Sequence, residues 1–254
     1  MNADVTGLAG KVVAVSGGTR GIGGAVSREL AARGARVTAW FRADRDAAAA
    51  TEAAIRAAGG EIRVEAGNLA DPAEIRRLTD ALLEREPRID GFVHAAALGS
   101  FKPLLELKPA QFDLSLQVGA RGFLLLMREL APAMPAGARV VALSSLGASR
   151  VVPSYGALGL AKATLEAIVR ELAVELAPRG IRVNAISAGA VEGSSLQLHP
   201  GYERLVEELR TRTPAGRLVS ADEVARLTAW LFSPLADALC GQTLVADGGL
   251  SLRL

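Results

Sequence analysis

Tyr155 and Lys162 stand seven residues apart in the run Ser154-Tyr-Gly-Ala-Leu-Gly-Leu-Ala-Lys162. Seven residues is close to two helical turns, so on a helix both side chains leave the same face. A phenol and an ammonium so placed make a proton donor with an electrostatic partner. A positive charge within a few ångströms favours phenolate and lowers the phenol's pKa from its ordinary value of about 10. Lysine occurs only at positions 11, 102, 108 and 162, among 29 Lys and Arg residues, so a lysine at a motif position is less easily an accident here. An isolated pair of this kind would be no more than a surface Tyr and Lys sharing a helix, and the elements around it decide.

The N-terminal segment Lys11-Val-Val-Ala-Val-Ser-Gly-Gly-Thr-Arg-Gly-Ile-Gly23 is a short apolar run leading directly into glycines, followed by a helix-like stretch from Gly24 to Arg33. A β-branched run that ends in glycine reads as a buried strand entering a tight turn. Gly17, Gly21 and Gly23 let the backbone approach a pyrophosphate closely, and the following helix N-terminus offers free N–H groups to the anion. Strand, glycine loop and helix in that order open a βαβ unit.

Those elements sit in a chain of 254 residues, half hydrophobic and 22% charged, with a net charge of +2. That length suits one large α/β domain, residues 1–254, with a substantial core. The composition is ordinary for a soluble enzyme, and the small net charge disfavours a nucleic-acid partner. Cys240 is the only cysteine, which excludes an intramolecular disulfide. No apolar stretch reaches membrane-spanning length, and residues 1–10 lack the regions of a signal peptide, so the cytoplasm is the expected compartment.

Strand-like runs near 11–16, 35–40, 61–66, 90–95, 138–144, 181–187 and 242–246 alternate with helix-like segments near 22–33, 44–58, 72–85, 109–131, 155–177 and 221–232. Alternation of this kind predicts a Rossmann-type doubly wound parallel sheet of about seven strands, with helices on both faces and the ligand at the carboxyl ends of the strands. Residues 188–217 interrupt the pattern with Gly189, Gly193, Ser194, Ser195, a charged helical run at 202–212 and Pro214. They are the expected lid over the substrate.

Together these residues resemble the short-chain dehydrogenase/reductase family over nearly the whole chain, through Ser16-Gly-Gly-Thr-Arg-Gly-Ile-Gly23, Asn68-Leu-Ala-Asp71, Ser144-Ser145, Tyr155…Lys162, Arg182-Val-Asn-Ala185 and Asp247-Gly-Gly249. Most members place the tyrosine four residues before the lysine. That position here is Leu158, and the spacing found is that of the enoyl-acyl-carrier-protein reductases. Leu143-Ser-Ser-Leu-Gly-Ala148, Pro153-Ser-Tyr155 and Val183-Asn-Ala-Ile-Ser-Ala-Gly189 look like that group, and Thr213-Pro-Ala-Gly-Arg217 and Gly241-Gln-Thr243 are similar to its type III, NADPH-dependent members. The resemblance implies Tyr155, Lys162 and Ser145 as catalytic residues. It implies a cofactor site of Gly17, Thr19, Arg20, Gly21, Ile22, Gly23, Arg42, Asn68, Leu69, Ala95, Lys162, Gly189 and Val191. Reduction of a 2-enoyl thioester carried on an acyl carrier protein or coenzyme A, in fatty-acid or related biosynthesis, by a symmetric dimer or tetramer, is the activity it implies.

The spacing has a physical rationale. When a ketone is reduced, the oxygen needing a proton is about 1.2 Å from the carbon that receives hydride. In a 2-enoyl thioester, hydride goes to Cβ while charge develops on an oxygen roughly 3 Å away by summed bond lengths. A donor aimed at that charge must be displaced relative to the nicotinamide, and one helical turn is one way to displace it.

Cofactor choice is written after the second strand. Trp40-Phe41-Arg42 lacks the acid that would bind an adenosine 2′-hydroxyl, whereas Arg42 and Arg20 suit a 2′-phosphate. NADPH is therefore expected. Three departures from the family pattern stand beside the matches: His94-Ala-Ala-Ala97 for an Asn-Asn-Ala-Gly run, Gly119 for a relay asparagine, and Gly193 for a threonine that contacts pyrophosphate. They leave two rivals, an NADPH-dependent ketone reductase of a 3-oxoacyl or polyketide-type substrate and a non-catalytic NADPH-binding module. Arg204, Arg210, Arg212 and Arg217 could meet an acidic carrier protein, although Glu203, Glu207 and Glu208 make a mixed, solvated face an equal reading.

Overall fold

The computed structural model describes residues 6–192 and 201–253. Seven parallel strands, β1 (Val12–Ser16), β2 (Arg36–Phe41), β3 (Glu61–Ala66), β4 (Gly91–His94), β5 (Arg139–Ser145), β6 (Arg182–Ala188) and β7 (Thr243–Ala246), form one sheet in the order β3-β2-β1-β4-β5-β6-β7. The central strands are rich in small and β-branched residues, as at Val12–Ser16 and Arg139–Ser145, as sheets covered on both faces require.

Alternation along the strands divides the core in two. Val13, Val15 and Val37 face α1 (Gly21–Ala32) and α8 (Ala221–Leu231), where Val26, Leu30, Val224 and Ala225 are buried. Val12, Ala14, Phe92 and Val140 face the other way, onto α3 (Pro72–Arg85), α5 (Gly122–Leu130) and α6 (Gly156–Leu176). The remaining helices are α2 (Arg45–Ala57), α4 (Pro109–Leu116) and α7 (Tyr202–Arg212).

Local chemistry starts several helices. Asp44 accepts from Ala47 N ahead of α2, and Asp71 accepts from Ala73 N with Pro72 as the first helical residue of α3. Ser220 and Glu223 form a reciprocal capping box on α8. Each exchange satisfies N–H groups that a helix start leaves free.

One predicted helix is interrupted. The stretch expected to run from 109 to 131 carries a π turn at Gln117–Arg121 between α4 and α5. Gly119 lies at its centre, where no side chain limits the wider winding. No helix among the described residues is long and apolar enough to cross a membrane.

Strand order reverses between β1 and its neighbours: β2 and β3 lie to one side, and β4 to β7 to the other. The loops leaving β1 and β4 therefore part in opposite directions and open a crevice at the carboxyl ends, where open α/β sheets bind ligands.

Candidate active site

A cavity of about 1290 Å³ fills that crevice. Its wall takes Gly17, Thr19 and Arg20 from the loop after β1, Gly21, Ile22 and Gly23 from the first turn of α1, Arg42 after β2, and Asn68 and Leu69 after β3. Ala95 after β4, Ser145 at the end of β5, Tyr155 and Lys162 at the start of α6, and Gly189 and Val191 after β6 complete the expected set. Every residue of the expected catalytic and cofactor-binding set lines this one cavity. Gly193, Ser194 and Ser195 lie outside the described residues.

The glycine loop is shaped by close backbone approach. Gly17 has φ +69°, and a Cβ on it would lie 2.9 Å from Ala96 Cα. A Cβ on Gly23 would lie 2.1 Å from the Gly17 carbonyl oxygen. No side chain caps α1, so its first turn presents uncapped N–H groups to the cavity at Gly21, Ile22 and Gly23. A cradle with no room for side chains, ending on an uncapped helix N-terminus, fits the pyrophosphate of a dinucleotide.

At the adenosine end, Phe41 closes β2 and Arg42 follows it, and Arg20 Nη1 lies 3.9 Å from Asp44 Oδ2. Asp44 is engaged as the cap of α2, and the Arg20 side chain is largely exposed. Asn68 Oδ1 accepts from Ala70 N at 3.2 Å, which orients the amide.

The Tyr155 and Lys162 pair differs from its expected form. Tyr155 caps α6 instead of lying within it, with φ −102° and ψ 7°. Lys162, buried one helical segment later, donates from Nζ to the Leu143 carbonyl oxygen at the end of β5. The phenol's pKa is raised rather than lowered: burial pushes it up, and a hydrogen bond from Ser145 only partly offsets this. Depth thus outweighs charge, and Tyr155 is a protonated donor at neutral pH. Burial also brings the Lys162 ammonium down to about 8, against the favourable field of Glu166.

His94 ends β4. Fully buried, it places Nδ1 2.8 Å from Ser16 Oγ, while Nε2 faces the Val118 and Gly119 carbonyls of the π turn without a well-formed bond to either. Burial and the Lys162 charge bring its pKa down to about 3, so the imidazole is neutral. Through Ser16 it ties β4 to β1, the strand that carries the glycine loop.

Phe101, Leu205 and Leu209 were not named from the sequence, whereas Glu208 and Arg212 were, within the expected lid 188–217. Phe101 packs on Tyr155 with ring centroids 5.8 Å apart, and Leu205, Glu208, Leu209 and Arg212 of α7 line the cavity. The heptad-like spacing of Leu205, Leu209 and Arg212 was the available signal for a helix laid along a pocket. Of the proposed carrier-facing arginines, Arg210 pairs with Glu192 and Glu207, Arg212 with Glu208, and Arg217 with Glu223. Mixed pairing prevails at these three.

A family model described as enoyl-(acyl carrier protein) reductase matches residues 17–251. The chain is 36% identical over 244 residues to a 1-cyclohexenylcarbonyl-CoA reductase of Streptomyces collinus, covering 95% of this chain and 87% of that protein. It is 32% identical to the NADH-dependent enoyl-[acyl-carrier-protein] reductase FabI of Enterococcus faecalis, over 73% of this chain and 76% of that one. Among solved structures, a short-chain dehydrogenase from Burkholderia cenocepacia in complex with NADP superposes with a TM-score of 0.90 at 30% identity, covering 96% of this chain and 99% of that chain.

Proposed function

Because the chain belongs to the short-chain dehydrogenase/reductase family, in the group described by the enoyl-(acyl carrier protein) reductase model, we propose that it is an NADPH-dependent reductase of the 2,3 double bond of a 2-enoyl thioester. One observation carries this reading. Tyr155 is the tyrosine that lines the cavity, and one turn further along α6 the space is filled by buried Leu158. The donor is displaced, as the oxygen of an enoyl thioester demands.

The nicotinamide of a bound cofactor would supply hydride to Cβ. Gly17 to Gly23 would hold its pyrophosphate, Arg20 and Arg42 its 2′-phosphate, Asn68 its adenine edge, and Lys162 its ribose hydroxyls. Tyr155 donates a hydrogen bond to the thioester oxygen as negative charge grows there. Ser145 polarises the phenol by donating to it. Lys162 carries its proton at neutral pH, which adds positive field to the chamber. Protonation at Cα completes the saturated product.

The thioester carrier is an acyl carrier protein or coenzyme A, and the setting is fatty-acid or related biosynthesis. Exposed Leu124 on α5 and Leu160 on α6 support assembly as a homodimer or homotetramer. The residues of 188–217 that are described, α7 above all, support a substrate lid.

Single-turnover NADPH oxidation with crotonyl and acetoacetyl thioesters, side by side, tests the reading. The expected result is at least about tenfold faster oxidation with the crotonyl substrate, lost by about 10²-fold in Tyr155→Phe. Faster reaction with acetoacetyl thioester would establish the ketone reductase instead. Binding of NADPH with no turnover of either would establish a cofactor-binding module.

A further inference from the structure

Gly147 lies in the short 3₁₀ turn Leu146–Ala148 that follows β5, two residues beyond Ser145. Its backbone is not in the left-handed region, so the conformation does not require glycine. Space does. A Cβ built on Gly147 would lie 2.5 and 2.6 Å from Cδ1 and Cε1 of Tyr155, distances that atoms of a packed core do not adopt. The same backbone meets α6 closely, since a Cβ on Gly159 would lie 2.7 Å from the Gly147 carbonyl oxygen. The Tyr155 ring therefore rests on bare main chain, with the Phe101 ring tilted 50° against it.

Two further contacts converge on the phenol. Gly147 N donates to Ser145 Oγ at 3.3 Å, which leaves the serine hydroxyl hydrogen for Tyr155. Ahead of the ring, Tyr155 N donates to the Val152 carbonyl at 3.1 Å across Pro153 and Ser154. Ser154 has φ +59°, the one positive φ at a non-glycine among the described residues. Proline second and a positive φ third make a type II turn, whose third position ordinarily takes Gly or Asn. A serine there is held in a strained backbone conformation. Strain of this kind persists where surrounding contacts over-determine the geometry.

We infer that Gly147 is a positioning residue for the phenol: its missing side chain is the floor under the Tyr155 ring, its N–H aims Ser145, and the strained turn at Ser154 presses the ring onto that floor. This rests on Tyr155 being the hydrogen-bond donor of the proposed reaction. The chain holds two tyrosines, so a Tyr202→Phe parent leaves Tyr155 as the only phenol to titrate by ultraviolet absorbance, without any substrate.

In that parent, Gly147→Ala is expected to move the phenol's titration down towards the ordinary value of about 10, as the ring leaves its buried seat. Turnover of crotonyl thioester should fall about 10²-fold, with the Kd for NADPH within about twofold of the parent's, a change too small to implicate the cofactor site. Added to Tyr155→Phe, the same substitution should lower kcat by less than about twofold, because both changes act through one group. An unchanged titration, or costs that simply add, would overturn the inference even if only the thermal stability fell. The titration reads the seat of the ring directly, so it stands apart from whether enoyl or ketone substrates are reduced. Should Gly147→Ala fail to fold, Ser154→Val in the exposed loop serves the same end. A β-branched residue does not hold a positive φ, so the titration should fall as well, whereas Ser154→Gly should keep it. A Ser154→Val protein that titrates like the parent would sink the proposal equally.

Discussion

The side chain of Leu158 fills the space beside Gly99, so closely that a Cβ on Gly99 would lie 2.4 Å from Leu158 Cγ. Leu158 is 3% exposed and stands one turn beyond Tyr155 on α6. The position from which a phenol four residues before Lys162 would act is thus taken by an apolar side chain, packed on the loop after β4, at the wall of the same cavity.

A phenol moved to that position should not replace Tyr155. The double substitution Leu158→Tyr, Tyr155→Phe must displace the Gly99 loop to fit its ring, and the hydroxyl would then aim nearer the hydride-accepting carbon. We expect kcat/KM for a crotonyl thioester to stay at the Tyr155→Phe level, about 10²-fold or more below the parent. Recovery to within about tenfold of the parent would remove the link between tyrosine placement and reaction.

Arg42→Ala should raise KM for NADPH by about 10- to 100-fold and leave KM for NADH nearly unchanged. A charge-assisted bond to a 2′-phosphate contributes about 1.5–3 kcal/mol, whereas a 2′-hydroxyl gains little from a guanidinium. Arg20→Ala should act in the same direction but less, since Arg20 shares its field with Asp44 at 3.9 Å. Equal losses with both cofactors would mean that Arg42 does not read the 2′ position.

The central strands were legible in the sequence because they are short apolar runs buried whole, as at Val12–Ser16, whereas the edge strands Glu61–Ala66 and Thr243–Ala246 are only partly buried. Burial on both faces leaves few alternatives for such runs. The cavity wall at Gly17 and Gly189 was legible for a related reason: those residues follow the ends of β1 and β6, and strand order fixes where the ends meet. Spacing could not convey depth. Seven residues between Tyr155 and Lys162 suggested two groups coupled by charge, but the direction of the phenol's shift is set by burial beneath Phe101 and above Gly147, contacts contributed by other elements. The π turn at Gly119 was invisible for a similar reason. A glycine permits wider winding without announcing it, and what faces the turn is His94 from a strand 25 residues away.

His94→Gln should make the protein less sensitive to acid. The folded pKa of about 3 lies below the ordinary 6.5. Between those values the unfolded chain binds a proton that the folded chain refuses, so stability falls as pH drops from about 6.5 towards 3. At its steepest the loss is about 1.4 kcal/mol per pH unit. Glutamine can still meet Ser16 Oγ and does not titrate, so urea unfolding of the two proteins across that range should diverge, the parent losing stability faster. Parallel curves would mean that water reaches the imidazole.

Lys162→Met should abolish turnover and stabilise the fold at neutral pH. Burial brings the Lys162 pKa down to about 8 from the ordinary 10.5. Between those values the unfolded chain holds the proton and the folded chain has lost it, so the parent gains stability as pH rises through that window. At neutral pH the buried ammonium is a burden of about 3 kcal/mol from the shift alone. Methionine keeps the stem's volume but leaves the Leu143 carbonyl without its donor, which costs about 1–3 kcal/mol. The net gain expected at neutral pH is about 1 kcal/mol, and it should shrink and reverse as pH approaches about 10 and the parent's lysine becomes neutral. Urea unfolding of both proteins at neutral and alkaline pH reads this directly. A difference that stays constant with pH would show that the ammonium is solvated, and the account of the chamber's positive field would fall with it.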